Sequence, residues 1–151
     1  MRIGVLSDTH IHLAEEIPPE VVKAFSQVDL IVHTGDFVGS QVLEGLKRLG
    51  EVKAVHGNMD SMKLRDLLPE QELLMVGGRK VGIIHGWGGP AGIEQRVRER
   101  FDDVDVIIYG HSHVAKMEQI GGIFFFNPGP GNQSFGLLII EKDVKGEIIR
   151  I

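Results

Sequence analysis

Short apolar runs alternate with amphipathic stretches along the chain, and their periods separate strands from helices. Arg2 to Ser7, Leu30 to Val32 and Val52 to Val55 read as strands. Two helical patterns lie between them. Pro18 and Pro19 suit a helix start, because a proline in the first turn forfeits no helical hydrogen bond. Val21, Val22 and Phe25 supply that helix's apolar face. Ser40 is expected to cap a second helix, in which Val42, Leu43, Leu46 and Leu49 recur at helical spacing and Gly50 marks the stop.

The second half is richer in strands. Gln71 to Val76 and Arg79 to Ile84 flank Gly77-Gly78, a hairpin signal. Ala91 to Phe101 reads as a helix with Ile93, Val97 and Phe101 inward, and Val104 to Tyr109 as another buried strand. Two more hairpins follow, one turning at Gly121-Gly122 and one between Glu141 and Glu147. The mixture predicts an α/β fold, with at least one sheet covered by helices and a strand-rich C-terminal half forming a second sheet. With 151 residues and no repeat, linker or low-complexity tract, a single domain over residues 1–151 is expected.

Polar residues fall at informative places. The run IGVLS leads into Asp8 and His10, and LIV into His33, Gly35 and Asp36. VKAV leads into His56, Gly57 and Asn58, and VGII into His85-Gly86. DVIIY leads into Gly110-His111-Ser112-His113, and FFF into Asn127-Pro128-Gly129. In open α/β sheets, ligand sites gather beyond the carboxyl ends of the strands. Each element alone is weak: an Asp after a strand is commonly a turn residue, and Gly57-Asn58 is a common turn. His111-x-His113 is stronger, because two imidazoles beside a glycine can point into one pocket. The coincidence of the clusters points to a metal site that mixes imidazole with hard oxygen. Such a set suits Mn, Fe, Zn, Ni or Co rather than Ca.

Composition narrows the chemistry. There is no cysteine, which excludes disulfides, thiolate nucleophiles and Cys-based metal sites. The net charge of −5 disfavours a protein whose main task is to coat nucleic acid or anionic membrane. A phosphate-containing substrate stays open, since bound cations would bring positive charge to it. The N-terminus MRIGVLSDTH lacks the apolar core of a signal peptide, and no apolar run approaches the ~20 residues of a membrane span. A soluble cytoplasmic protein without a membrane partner is therefore expected.

Other polar residues read as ordinary. His12 is expected at the solvent or the cleft rim, and His33 and His56 as structural histidines with satisfied hydrogen bonds. Arg96, Arg98 and Arg100, with Glu94 and Glu99, read as a solvated helix face.

Asp8-x-His10, Gly35-Asp36, Gly57-Asn58-x-Asp60, His85-Gly86 and Gly110-His111-Ser112-His113 together resemble the ordered motifs of the calcineurin-like metallophosphoesterases. The short length is similar to the small bacterial and archaeal phosphodiesterases of the YfcE type. The resemblance implies a four-layer α/β/β/α sandwich and two divalent transition metals, with Mn expected and Ni, Fe, Zn or Co as alternatives. It also implies that Asp8, His10 and His113 hold one metal, that Asn58, His85 and His111 hold the other, and that Asp36 bridges both. Asp36, Asn58, Asp60 and His111 would be the catalytic residues, Asp60 orienting a ligand or a leaving-group contact; its bland alternative is a cap for the helix that follows. The implied reaction is hydrolysis of a small phosphodiester by in-line attack of a hydroxide bridging two cations ~3.5–4 Å apart.

One position departs from that pattern. Many larger members carry a histidine after the Gly-Asn pair, placed to protonate the leaving group; here it is Met59. General acid help is worth typically ~10²–10⁴-fold, so esters with stabilised leaving groups such as phenols are expected to be preferred. Two rivals remain at this stage. One is a non-catalytic interaction scaffold like the eukaryotic retromer subunit that shares this fold. The other is a hydrolase of nucleotide or pyrophosphate linkages. Long nucleic acids are disfavoured as partners, and a homo-oligomer is allowed.

Overall fold

The computed structural model describes residues 1–151. In the first sheet, β1 (Arg2–Leu6), β2 (Leu30–His33) and β3 (Val52–Ala54) run parallel, in the order β1-β2-β3. Their helical crossovers are α1 (Pro19–Phe25) and α2 (Ser40–Lys47). A further helix, α3 (Met62–Leu67), follows β3. The second sheet holds the hairpin β4 (Gln71–Val76) and β5 (Arg79–Ile84), then β6 (Val106–Ile108) parallel to β5. It is reached from β5 through α4 (Ile93–Arg98). The hairpin β7 (Lys116–Ile120) and β8 (Ile123–Asn127) completes that sheet, with β8 parallel to β6.

The last hairpin differs from the expectation that the C-terminal half builds its own sheet. β9 (Ser134–Ile140) and β10 (Val144–Arg150) return to the first sheet, where β9 pairs antiparallel with β1. Alternation identifies a strand but not its neighbour, and this neighbour lies at the opposite end of the chain.

Three apolar clusters define four layers. Ile3, Val5, Val32, Ile83, Ile108 and Phe126 belong to the cluster between the two sheets. Phe25, Leu46, Leu64 and Phe135 join helices α1 to α3 to the outer face of the first sheet. Ile93, Val97, Ile107 and Phe125 join α4 to the outer face of the second. The architecture is thus two mixed sheets packed face to face between helices, as the motif resemblance implied. No helix is long and apolar enough to cross a membrane.

Local details correct the sequence reading. Pro18 is the cap of α1 and Pro19 its first residue, as expected. The cap of α2 is Gly39, and Ser40 is its first helical residue. The helix expected over 91–101 is regular only over Ile93–Arg98, although Phe101 still packs against that cluster. The turn after β7 uses Gly121 and Gly122 at φ 54° and 81°, a left-handed pair that glycine adopts without strain.

Candidate metal centre

Six strands (β1, β2 and β3 in one sheet, β5, β6 and β8 in the other) are parallel within their sheets, and each ends in one of the polar clusters. All seven expected ligands come together there. His85 Nε2 lies 3.3 Å from Asp36 Oδ2, 3.9 Å from Asp8 Oδ1 and 3.1 Å from Asn58 Oδ1. His111 Nδ1 is 3.2 Å from the same nitrogen. His113 Nε2 lies 3.4 Å from Asp8 Oδ1, and His10 Nε2 lies 3.8 Å from Asp36 Oδ2. Two triads have donor atoms within 4.8 Å of one another: Asp8, His10 and His113, and Asp8, Asp36 and His85. The carboxylate common to the triads is Asp8, while Asp36 faces one histidine from each expected ligand set.

The backbone is bent to bring these groups inward. Asp8, His10, Asp36, His111 and His113 all adopt left-handed conformations, with φ between 50° and 68°. Non-glycine residues visit that region rarely, at a cost of order ~1 kcal/mol or more each, and such residues concentrate at functional sites. Close backbone approach supplies the rest of the convergence. A Cβ at Gly57 would fall 2.2 Å from Asp36 Oδ1, and one at Gly110 would fall 2.0 Å from Ser7 Oγ.

Supporting groups fix the ligands. Asp60, buried, accepts backbone N–H bonds from Asp36 (2.9 Å), Val38 (3.0 Å) and Gly57 (2.7 Å), so one carboxylate ties two strand ends together. Helix α3 is capped by Ser61, not by Asp60. Asp36 Oδ1 accepts from the Met59 N–H at 2.8 Å. His85 Nδ1 donates to the Thr34 carbonyl at 2.8 Å, which orients the ring and turns Nε2 toward the carboxylates. Asn127 donates to the Gly110 carbonyl and to Ser112 Oγ, bracing the loop that carries His111 and His113. Thr34 Oγ1 donates to Ser7 Oγ, and Ser7 donates to Asp8 Oδ2. Ser7, Thr34 and the Thr34 carbonyl were not singled out by sequence reasoning. They flank the motif residues, yet their partners lie on other strands.

Titration behaviour follows this packing. Burial alone would raise the Asp36 carboxyl, but His85, the Met59 N–H and His10 outweigh it and hold the group below its ordinary value. Burial pushes His85 down, whereas Asp36, Asp8 and the Thr34 carbonyl raise it above its ordinary value. Burial and the neighbouring His85 lower His111. His33 is fully buried and lowered, by burial first and then by His85. Its Nδ1 accepts from the Gly35 N–H, its Nε2 meets Thr9 Oγ1, and its ring stacks on Phe37. It is a satisfied structural histidine, as read from the sequence. His56 is not, since its Nδ1 is buried without a partner. His12 is exposed. The expected solvated arginine face also needs correction. Arg96 donates to the carbonyls of Trp87 and Ala91 at 2.8 and 3.0 Å, and to that of Gly89.

One atom tests whether this donor set fits a cation. Asp8 Oδ1 is buried and has no hydrogen-bond partner, while Oδ2 of the same carboxylate is satisfied by Ser7 and the His111 N–H. A buried, unpaired carboxylate oxygen facing imidazole nitrogens is costly unless a cation meets it. The residues fit a metal.

Residues 1–137 match the calcineurin-like phosphoesterase superfamily domain. The chain belongs to that superfamily. Among its relatives, a probable metallophosphoesterase of Methanocaldococcus jannaschii is 41% identical, covering 100% of this chain and 82% of the relative. A solved structure described as a novel archaeal phosphodiesterase superposes with a TM-score of 0.77 at 25% identity, covering 99% of this chain and 100% of that one. The wild-type Vps29 of Entamoeba histolytica, solved in complex with Zn²⁺, superposes at 0.76 with 27% identity, covering 99% of each chain. This calcineurin-like phosphoesterase therefore shares its whole length with both a phosphodiesterase and a Vps29.

Proposed function

We propose that the chain is a two-metal phosphodiesterase acting on small phosphate esters. Asp8, His10 and His113 would hold one divalent cation and Asn58, His85 and His111 the other, with Asp36 between them. The carrying observation is Asp8 Oδ1, buried and unpaired, 3.4 Å from His113 Nε2 in a centre where five ligand residues hold left-handed backbones. Bound cations at such a centre supply Lewis acidity, lowering the pKa of water and offsetting the charge that builds at phosphorus. The chain's own residues do the positioning. Asp60 fixes the backbones of Asp36 and Gly57, and Thr34 orients the ring of His85. Asn58 and His111 face the opening of the centre, where a substrate phosphate would meet them. Imidazole nitrogen mixed with hard oxygen suits Mn, Fe, Zn, Ni or Co, and manganese is the one expected from the family resemblance.

The experiment is elemental analysis of the purified protein, with hydrolysis of an aryl phosphodiester and the matching monoester before and after chelation. About two transition metals per chain and a diesterase activity lost on chelation are expected. A folded protein with no metal affinity would sink the reading. Met59 is exposed and carries no transferable proton. Rates across esters of graded leaving-group pKa should therefore fall steeply as the leaving group worsens, and a flat series would reveal another acid. A scaffold role is the alternative, supported by the likeness to Vps29. Hydrolysis of nucleotide or pyrophosphate linkages is a second one, since the same donor set would serve it.

A further inference from the structure

Beside the metal centre a cleft of about 190 Å³ opens against Asn58 and His85. Its other walls include His56, Arg65, Glu70, Trp87 and Arg100, none of which the proposed metal chemistry uses. Trp87 is the only tryptophan in the chain, and it stands 40% exposed where large aromatic side chains are ordinarily covered. Its position is set rather than loose. It directly follows the turn at Gly86 (φ 101°) and precedes Gly88 (φ 81°), and Arg96 clamps the loop through the carbonyls of Trp87, Gly89 and Ala91. The Arg100 guanidinium lies 5.5 Å from the indole centroid and pairs with Glu70, which orients it against the ring.

The donors in the cleft complete a pattern. Arg65, which lines the cleft, has no ion-pair partner. An exposed π surface in one cleft with an unpaired guanidinium matches a flat ring with a polar edge. An alkyl group would leave the Arg65 guanidinium unanswered and gain nothing from the ring face.

We propose that this cleft is the recognition subsite for an aromatic group carried by the phosphoester, with Trp87 as its stacking surface and Arg65 at the ring's polar edge. The proposal rests on the phosphoesterase reading, since it places the ester's phosphate at the neighbouring metal centre. The aromatic group is that of an aryl ester or a nucleobase.

Trp87 is a built-in reporter. Its emission is followed while methyl phosphate, phenyl phosphate or adenosine monophosphate is titrated into the manganese-loaded protein. Phenyl phosphate or the nucleotide should bind on the order of 10-fold more tightly than methyl phosphate and shift the emission, the scale on which ring stacking acts. Tighter binding of the nucleotide identifies a nucleobase subsite, and tighter binding of phenyl phosphate an aryl one. By calorimetry, the aromatic preference should shrink below about 2-fold in Trp87→Ala and in Trp87→Leu, the second keeping apolar bulk without a ring. Equal affinity for the methyl and aromatic esters, or a preference that survives both substitutions, overturns the subsite and leaves the metal reading standing. Failure of every ester to bind would instead overturn the phosphoesterase reading, and the subsite with it.

Discussion

Asp8, Asp36 and His85 lie at the bottom of the candidate metal centre, while His10, Asn58 and His113 stand around its mouth. The floor residues are each held by groups other than the ligand side chains: Ser7 and the His111 backbone N–H for Asp8, the Met59 N–H for Asp36, and the Thr34 carbonyl for His85. The rim histidines have no such hydrogen bonds. His10 and His113 keep 35% and 50% of their side chains exposed, and they are aimed by left-handed backbone and by each other's rings, 5.3 Å apart. Burial thus concentrates charge and rigidity at the floor, where the carboxylates meet. Accessibility is left to the rim, where a substrate can exchange.

This contrast can be broken by unequal effects of single substitutions. Asp36→Asn should remove both cations and lower kcat/KM on the order of 10³-fold, the scale of groups that stabilise transition-state charge. His113→Ala should cost one cation and leave the other in place. Metal stoichiometry measured beside activity decides it, and two tightly bound metals in Asp36→Asn would undo the bridging role proposed for that residue.

A smaller effect is expected one layer further out. Asp60→Ala leaves three backbone N–H groups without their acceptor, two of them buried. Destabilisation of about 3 kcal/mol is expected, since charged hydrogen bonds contribute ~1.5–3 kcal/mol each and partial hydration recovers some of the loss. That corresponds to a fall in Tm of about 6–12 °C. Metal affinity should weaken ~10–100-fold with the ligands themselves intact. Unchanged metal affinity in a destabilised Asp60→Ala protein would make Asp60 purely structural.

The smallest effect concerns pH. His33 is lowered in the folded state, so between its folded pKa and ~6.5 the unfolded chain holds the extra proton. Its contribution to stability is complete above pH ~6.5 and declines as pH falls through that window. Denaturant unfolding at pH 7.5 and 5.5 should show a loss that His33→Gln reduces, because Gln can still accept from the Gly35 N–H without taking up a proton. An identical loss in the variant would assign the acid sensitivity elsewhere.

Much of the frame was legible because it depends on local period and on residues that follow strands. β1, β2, β5 and β6 each pass from an apolar run into ligand-type residues, and parallel strands brought those ends to one edge. Helix α3 was signalled only by Asp60 as a cap-type residue: six residues with only Leu64 buried give no periodic face to bound it. Arg96 read as solvated because its acceptors are loop carbonyls whose positions depend on the turns at Gly86 and Gly88. The aromatic cleft was invisible for a related reason. Arg65, Glu70, Trp87 and Arg100 are scattered over one helix and three loops that meet only when the layers pack.

By itself, then, the sequence determined which residues would gather and which chemistry they could support. An Asp, His or Asn placed just past a buried strand has its position set by short-range geometry. The tertiary structure decided that β9 and β10 close the first sheet, a pairing that ties Met1 to Ile140. It also decided which carboxylate oxygen stays unpaired and which ligands form floor or rim. Burial and the hydrogen bonds between distant strands are collective properties of the packed chain, and no local pattern records them.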